Sequence, residues 1–156
     1  MRRYLPGILA ASRALYPARV TGNPALDVLL REKVGRARQQ GIAVSLSVSL
    51  PVSTGIDDTE LCTLFANAFD NAVFAALKLP PEERRMDISA GMKRGFLLLE
   101  VTNSCLPDTV AKPGTGLANI ADIARKYQGA LNYQNDSGTF RLTVLLCAAH
   151  PGFEEP

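Results

Sequence analysis

The stretch DDTELCTLFANAFDNAVFAALKL, residues 57–79, decides the fold of this chain. Asp57 followed three residues later by Glu60 is typical of a capping-box helix start, and Pro80 with Pro81 is a strong stop signal, so the stretch predicts one long helix. Its apolar residues recur at spacings of three and four and make a continuous stripe that can pack on a sheet. The stripe consists of Leu61, Leu64, Phe65, Ala68, Phe69, Ala72, Val73 and Ala76.

Polar residues on this helix need a separate explanation. Asn67, Asp70 and Asn71 project from one side, next to the apolar stripe, although neither Asn nor Asp favours a helix interior. One interpretation is an amide that is satisfied by local hydrogen bonds. The other is a carboxamide oxygen directed at a hydrated hard cation, which suits magnesium held jointly by protein and phosphates. The spacing alone leaves both open.

The residues around these asparagines resemble a known motif. FANAFDNAVFAA, residues 65–76, resembles the N box of the GHKL ATP-binding superfamily, written N-L-L-D-N-A-x-E-A in sensor histidine kinases. The resemblance implies that Asn71 is a magnesium ligand and that Asn67, one turn earlier, is a catalytic residue beside the phosphates of ATP. Phe74 departs from the pattern, because many members have a glutamate there.

A helix and a strand are predicted before the central helix. Asn23 as cap and Pro24 at the first helical position start a helix that Gly41 ends. Residues 42–50, IAVSLSVSL, alternate as a half-buried strand does. TGNPALDVLLREKVGRA, residues 21–37, resembles the T-G-N-P-x-L-D-x-I-L-x-x-K-x-x-x-A pattern of peptide-sensing, Agr-type histidine kinases. A basic run favours the solvated side of this helix: Arg31, Lys33, Arg36 and Arg38.

Two further strands are predicted after the central helix. Residues 85–92, RMDISAGM, alternate, and Lys93-Arg94-Gly95 forms a turn into GFLLLEVTNSC, whose continuous apolar run predicts burial on both faces. This strand ends at Asn103, which either caps a turn or contacts a ligand. Most GHKL proteins have there the Asp of a D-x-G-x-G box, which accepts a hydrogen bond from the adenine amino group. The resemblance implies that Asn103 accepts it through its carboxamide oxygen.

A glycine-containing loop, LPDTVAKPGTG, leads into a predicted helix, LANIADIARKYQG, that Gly129 closes. Glycines at a helix start let backbone N–H groups approach a phosphate, although a glycine helix cap fits the same letters. In context the segment resembles the family's G-x-G-L-x-N-I box and implies an ATP lid with nucleotide-binding residues. These are Gly114, Thr115, Gly116, Leu117 and Asn119, with Lys112 on the loop either paired with a phosphate or solvated.

The last two predicted strands, ALNYQ and TFRLTVLLC, flank a turn at residues 135–138. Phe140, Leu142, Val144 and Leu146 are expected to face inward. Gly138-Thr139-Phe140 resembles the closing G-T-x-F of the family, which implies that the Thr139 hydroxyl lies near the adenine.

Composition excludes several classes of protein. The chain has 156 residues, 47% hydrophobic and 21% charged, which is enough for one core. A net charge of +2 and 6% aromatic residues give no electrostatic footprint for nucleic acid. Cys62, Cys105 and Cys147 lack metal-ligand spacing and favour reduced thiols of a cytosolic domain. Apolar runs such as LTVLLCAA are too short to cross a bilayer.

The GHKL resemblance, which covers residues from about Thr21 to Leu146, implies an α/β two-layer sandwich of the Bergerat type, with helices on one face of a mixed sheet. The expected domain spans residues 21–148, after a lead-in at 1–20 that ends a dimerisation helix region and before a tail at 149–156. The implied function is the ATP- and magnesium-dependent catalytic domain of a sensor histidine kinase. Its acceptor histidine lies outside this chain, since His150 in the tail is the only histidine.

The implied partners are the dimerisation and phosphoacceptor domain of the same kinase and a downstream response regulator, with any membrane attachment through upstream segments. Other readings stay open. A GHKL ATPase would usually keep a glutamate where Asn67 stands, and an anti-sigma-type serine kinase shares the fold. A degenerate nucleotide-binding module would account for Phe74 and for the missing D-x-G-x-G box.

Overall fold

The computed structural model describes residues 21–108 and 115–148. The helices in these ranges are α1 (Pro24–Gln39), α2 (Asp58–Ala76) and α3 (Thr115–Lys126), with a short 3-10 helix at Pro81–Glu83. The strands are β1 (Ala43–Val48), β2 (Arg85–Lys93), β3 (Phe96–Ser104), β4 (Ala130–Asn135) and β5 (Thr139–Cys147). The predicted lead-in and tail, with His150, lie outside the described residues.

The described strands form a 5-stranded mixed sheet in the order β1-β2-β3-β5-β4. β1 runs parallel to β2, and every other neighbouring pair is antiparallel. The turn between β2 and β3 has Arg94 and Gly95 at φ 50 and 84, which suits a tight two-residue hairpin. The turn between β4 and β5 likewise uses positive φ at Ser137 and Gly138. Both turns were predicted at these positions and are confirmed.

The N-cap side chains predicted for α1 and α2 are confirmed, whereas Glu60 does not complete the predicted capping box, because the Asp57 N–H donates to Tyr127. The Asn23 side chain accepts hydrogen bonds from the N–H groups of Ala25 and Leu26, and Pro24 occupies the first helical position of α1. Asp57 accepts from the N–H of Glu60 at the start of α2. The helices therefore begin where local side-chain acceptors replace the carbonyls that the first turn lacks.

One core lies between the helices and one face of the sheet. The stripe of α2 is buried as predicted, except that Val73 at its border is half-buried. The inward residues expected on β5 are also buried: Phe140, Leu142, Val144 and Leu146. The structure thus has the two-layer arrangement that the sequence predicts.

The prediction that β3 is buried on both faces is wrong. Leu97, Leu99 and Val101 are fully buried, but Phe96 is 41% exposed and Leu98 is half-buried. Within the described ranges the helices all cover the same face of the sheet, so alternate residues of β3 face away from them. A continuous apolar run therefore does not distinguish a strand that is buried on both faces from a strand such as β3, which is fully buried on one face only.

The end of α3 also differs in detail from the expectation. Gln128, at φ 53, is the left-handed residue after the helix, not Gly129. The N–H of Gly129 donates to the carbonyl of Ala124 at 2.7 Å, and that of Gln128 to Arg125, which together form a Schellman motif. Gly129 is needed for another reason: a Cβ there would lie 1.7 Å from the carbonyl oxygen of Leu145.

Candidate nucleotide-binding site

Asn67 lies at the border of the buried stripe of α2, where its amide is held in one orientation. Its Nδ2 donates to the backbone carbonyl of Thr63, one turn earlier, at 2.9 Å. The Oδ1 is directed toward the start of α3, because a Cβ at Gly116 would lie 3.5 Å from it. The structure therefore brings the N-box residue and the second glycine of the loop motif together.

The first turn of α3 adds backbone donors beside Asn67. Thr115 and Gly116 are the first residues of α3, so their N–H groups have no partner within the helix. Leu117 is buried and anchors the turn in the core, whereas Asn119 is half-buried. Exposed N–H groups at the positive end of a helix suit a phosphate. Lys112 and Gly114 lie outside the described residues.

Asn71 follows Asn67 by one turn on the same side of α2 and is half-buried. In the described parts of the chain no group of three or more His, Cys, Asp or Glu side chains is arranged to hold a metal ion. Magnesium usually retains waters and shares its coordination with phosphates, so one or two protein oxygens can be enough to hold it.

The side-chain amide of Asn103 is buried, and only its nitrogen makes a hydrogen bond in the described part of the chain. It is 2% exposed at the end of β3, and its Nδ2 donates to the backbone carbonyl of Ser104 at 2.9 Å. Among the described residues, its Oδ1 is buried and has no hydrogen-bond partner. The opposite amide orientation would direct Oδ1 at the Ser104 carbonyl, so the free acceptor is the oxygen. Leaving a buried acceptor unpaired costs about 1–3 kcal/mol, which a donor on a ligand would offset.

Ser104 is a residue whose role the sequence did not reveal. Its Oγ accepts a hydrogen bond from the N–H of Arg85 at 2.9 Å and donates to the carbonyl of the same residue at 3.4 Å. It thereby ties the end of β3 to the start of β2, next to Asn103. The only sequence signal is a short hydroxyl directly after Asn103 at a strand end.

The structure does not bring the side chains of Thr139 and Asn103 together. Their strands are neighbours, with Ser104 opposite Thr139 and Asn103 opposite Phe140. Because Thr139 directly precedes the inward-facing Phe140, strand alternation places the Thr139 side chain on the other face of the sheet. In a G-T-x-F pattern one residue separates the threonine from the phenylalanine, so their side chains would share a face of the sheet. In this chain Thr139 and Phe140 are adjacent, so their side chains lie on opposite faces.

Comparison with known proteins identifies the family. Residues 56–147 match the sequence model of the GHKL domain. The chain belongs to the GHKL family. No curated protein matches the sequence of this GHKL domain.

Solved histidine kinase structures share its fold. The catalytic domain of the histidine kinase ThkA is 16% identical with a TM-score of 0.59, covering 79% of this chain and 93% of that one. The Acinetobacter baumannii histidine kinase AdeS is 17% identical with a TM-score of 0.62, over 81% of this chain and 64% of that one. Full-length ShkA in complex with AMPPNP is 17% identical with a TM-score of 0.58, over 78% and 28%. These likenesses establish the Bergerat-type α/β fold that the sequence predicted.

An ion pair joins α1 to the N box. The Lys33 Nζ lies 2.7 Å from the Asp70 Oδ1, and the two side chains are 25% and 62% exposed. The sequence predicted a solvated basic run without this pairing. Two other members of the run are engaged elsewhere, since Arg36 pairs with Glu32 and Arg38 donates to the carbonyl of Val44.

A second polar cluster fixes α3 against the start of α2. The Tyr127 hydroxyl accepts from the N–H of Asp57 at 3.0 Å and donates to Glu60 Oε1 at 2.5 Å. The Lys126 Nζ lies 2.6 Å from Glu60 Oε2. Hydrogen bonds from Lys126 and then Tyr127 hold the pKa of Glu60 below its ordinary value. Because α2 and α3 carry Asn67 and Gly116, this cluster contributes to their relative position.

In the described residues, none of the helices is long and apolar enough to cross a membrane.

Proposed function

We propose that this GHKL domain is the catalytic, ATP-binding part of a sensor histidine kinase and transfers the γ-phosphate of ATP to a histidine outside this chain. Nucleotide binding rests on one observation above all, the buried Oδ1 of Asn103, which has no hydrogen-bond partner in the part of the chain that the structure describes. The adenine amino group is a donor that would satisfy it. The kinase assignment is supported by the solved structures, which are named as histidine kinases.

The residues of the chain divide the work of binding. Asn103 orients adenine, and the backbone of Gly116 with the first turn of α3 holds the phosphates next to Asn67. Thr115, Leu117 and Asn119 belong to this segment, and Lys112 and Gly114 extend it outside the described residues. Phosphoryl transfer needs mainly positioning and charge neutralisation, so no nucleophile from this domain is required.

Asn71 is the proposed magnesium ligand. A half-buried carboxamide oxygen next to the proposed phosphate site fits a hard cation that is shared with phosphates. The cation supplies neutralisation of phosphate charge when it is bound. We assign Asn67 to contact with the phosphates. A neutral amide cannot act as the base that an ATPase would need to activate water.

The proposed partners follow from the proposal that the histidine that accepts the phosphoryl group lies outside this chain. They are the dimerisation and phosphoacceptor domain of the same kinase and, downstream, a response regulator. The domain limits at residues 21 and 148 and a cytoplasmic position with upstream membrane attachment are part of the same proposal.

Labelling with γ-radioactive ATP tests the function. The chain alone should bind ATP in a magnesium-dependent way and remain unlabelled, whereas a longer version that carries the upstream acceptor helix should gain an acid-labile, alkali-stable label. Labelling of the chain alone that is lost in His150→Ala would place the acceptor inside it. Steady ATP hydrolysis without any labelled product would favour the ATPase.

A further inference from the structure

The N box contains a carboxylate that is close in sequence to both asparagines assigned to the phosphates and magnesium. Asp70 directly precedes Asn71 and follows Asn67 by three residues, and its side chain is 62% exposed. Residues three apart on a helix have Cβ atoms about 5–6 Å apart. On the proposed function, Asp70 therefore adds a negative charge beside the triphosphate.

Lys33 of α1 offsets this charge. Its Nζ lies 2.7 Å from the Asp70 carboxylate, and with 25% exposure most of the lysine side chain rests against the protein. The pair joins residues 37 positions apart in sequence, one from the α1 motif and one from the N box. Ion pairs of this exposure contribute little to stability, so the fold gains little from the Lys33–Asp70 pair.

We propose that Lys33 and Asp70 form a positioning pair that sets the charge of the phosphate site and thereby its dependence on magnesium. This inference rests on the proposed ATP-binding function. Lys33 acts through Asp70: while the pair is intact, the carboxylate is neutralised and the nucleotide is not repelled. Without Lys33, the exposed carboxylate would repel magnesium-free ATP more strongly than the less negative magnesium complex.

Coulomb's law gives the expected size of the change in ATP affinity when the Asp70 charge is no longer neutralised. Unit charges about 7 Å apart interact by an amount that corresponds to a change of roughly threefold to fiftyfold in affinity, for effective dielectric constants between about 80 and about 20. The partly exposed position of Asp70 favours the lower part of this range. The effect should shrink in about 1 M salt, where charges are screened within about 3 Å.

Calorimetric titration of ATP, with magnesium and with chelator, measures both affinities. In Lys33→Met the affinity for magnesium-free ATP should fall by about threefold to tenfold, while the affinity for magnesium-ATP changes less. In Asp70→Asn the magnesium-free affinity should stay near that of the wild type, because Lys33 already neutralises this carboxylate in the intact pair. In the double variant Lys33→Met should have no further effect on top of Asp70→Asn. Arg36→Met is the matched control, because it breaks an exposed ion pair on the same helix one turn away.

Each contrary result has a distinct meaning. If Lys33→Met weakens binding equally in the Asp70→Asn background, Lys33 contacts the nucleotide itself and the pairing proposal fails. If both affinities fall in parallel together with the melting temperature, the pair is only structural and the proposal fails again. If the wild-type chain binds no ATP in any condition, the proposed function itself is wrong.

Discussion

The hydroxyl of Tyr127 accepts a hydrogen bond from the backbone N–H of Asp57, 70 positions away in the sequence. In a capping box the glutamate three residues into the helix would accept that bond. Here Glu60 accepts from Tyr127 instead, so the tyrosine hydroxyl is inserted into the capping box of α2. The end of α3 thereby becomes part of the start of α2.

Tyr127→Phe should destabilise the fold. It removes the acceptor of the Asp57 N–H and a donor to Glu60, and we expect the free energy of unfolding to fall by about 1–3 kcal/mol. Urea unfolding of the variant checks this. Tyr133→Phe is the control, because it deletes the hydroxyl of another half-buried tyrosine, on β4. Equal losses in both variants would contradict a special role for Tyr127.

The same cluster predicts a pH dependence. Hydrogen bonds from Lys126 and Tyr127 lower the pKa of Glu60 from its ordinary 4.5. The folded chain therefore binds the carboxyl proton of Glu60 less tightly than the unfolded chain does. The stabilisation is complete above that ordinary value and is lost as the pH falls through the lowered pKa. Below about pH 4.5 the wild-type stability should therefore decline more steeply than that of Glu60→Gln.

Chemical unfolding between about pH 6 and about pH 3 measures this slope. Glu82→Gln is a suitable control, since Glu82 is an exposed glutamate in the short 3-10 helix. Parallel pH profiles for the wild type and Glu60→Gln would refute the contribution of Glu60.

Asn71→Ala should weaken the binding of magnesium-ATP. The variant removes the proposed protein ligand, and we expect the affinity to fall by more than about tenfold, or about 1.4 kcal/mol. Calorimetry measures the affinity, with Asn132→Ala on the exposed surface of β4 as the control. Unchanged binding of magnesium-ATP in a folded Asn71→Ala variant would eliminate Asn71 as the ligand.

Asn103 should make the site select adenine over guanine. Its free Oδ1 accepts from an amino group, whereas guanine presents a carbonyl oxygen there, and two facing acceptors stay unpaired. GTP should therefore compete with labelled ATP at least about a hundredfold less well. Asn103→Asp keeps an acceptor and should retain the preference, whereas Asn103→Ala should lose it. Equal competition by GTP and ATP in the wild type would argue against this role.

Two glycine substitutions should have opposite effects on stability. Gly129→Ala places a Cβ within 1.7 Å of the Leu145 carbonyl oxygen, so β5 or the end of α3 must move, at a cost of about 3 kcal/mol or more. Gly35→Ala meets nothing within 4 Å inside α1 and should stabilise by about 0.5–1 kcal/mol. Thermal unfolding compares them, and a well-folded Gly129→Ala with wild-type stability would contradict the close approach.

The helices, the hairpin turns and the inward residues of β5 were predictable because their signals are local. Asn23 and Asp57 satisfy N–H groups within three residues of themselves, and Gly95 readily adopts the positive φ that the turn between β2 and β3 requires. The same holds for the family resemblance of the N box, which is contiguous. Such features depend on neighbours in sequence, so a sequence determines them before any packing occurs.

Tertiary structure alone decided the features that join distant segments. The one-sided burial of β3 depends on which face of the sheet the helices cover, and the pairing of Lys33 with Asp70 depends on how α1 lies against α2. Likewise, the Asn103 Oδ1 without a partner among the described residues became visible only when its burial and its neighbours in that part of the chain were known. Sequence spacing carries no information on such contacts, because they are set by the packing of whole elements that the shared core holds together.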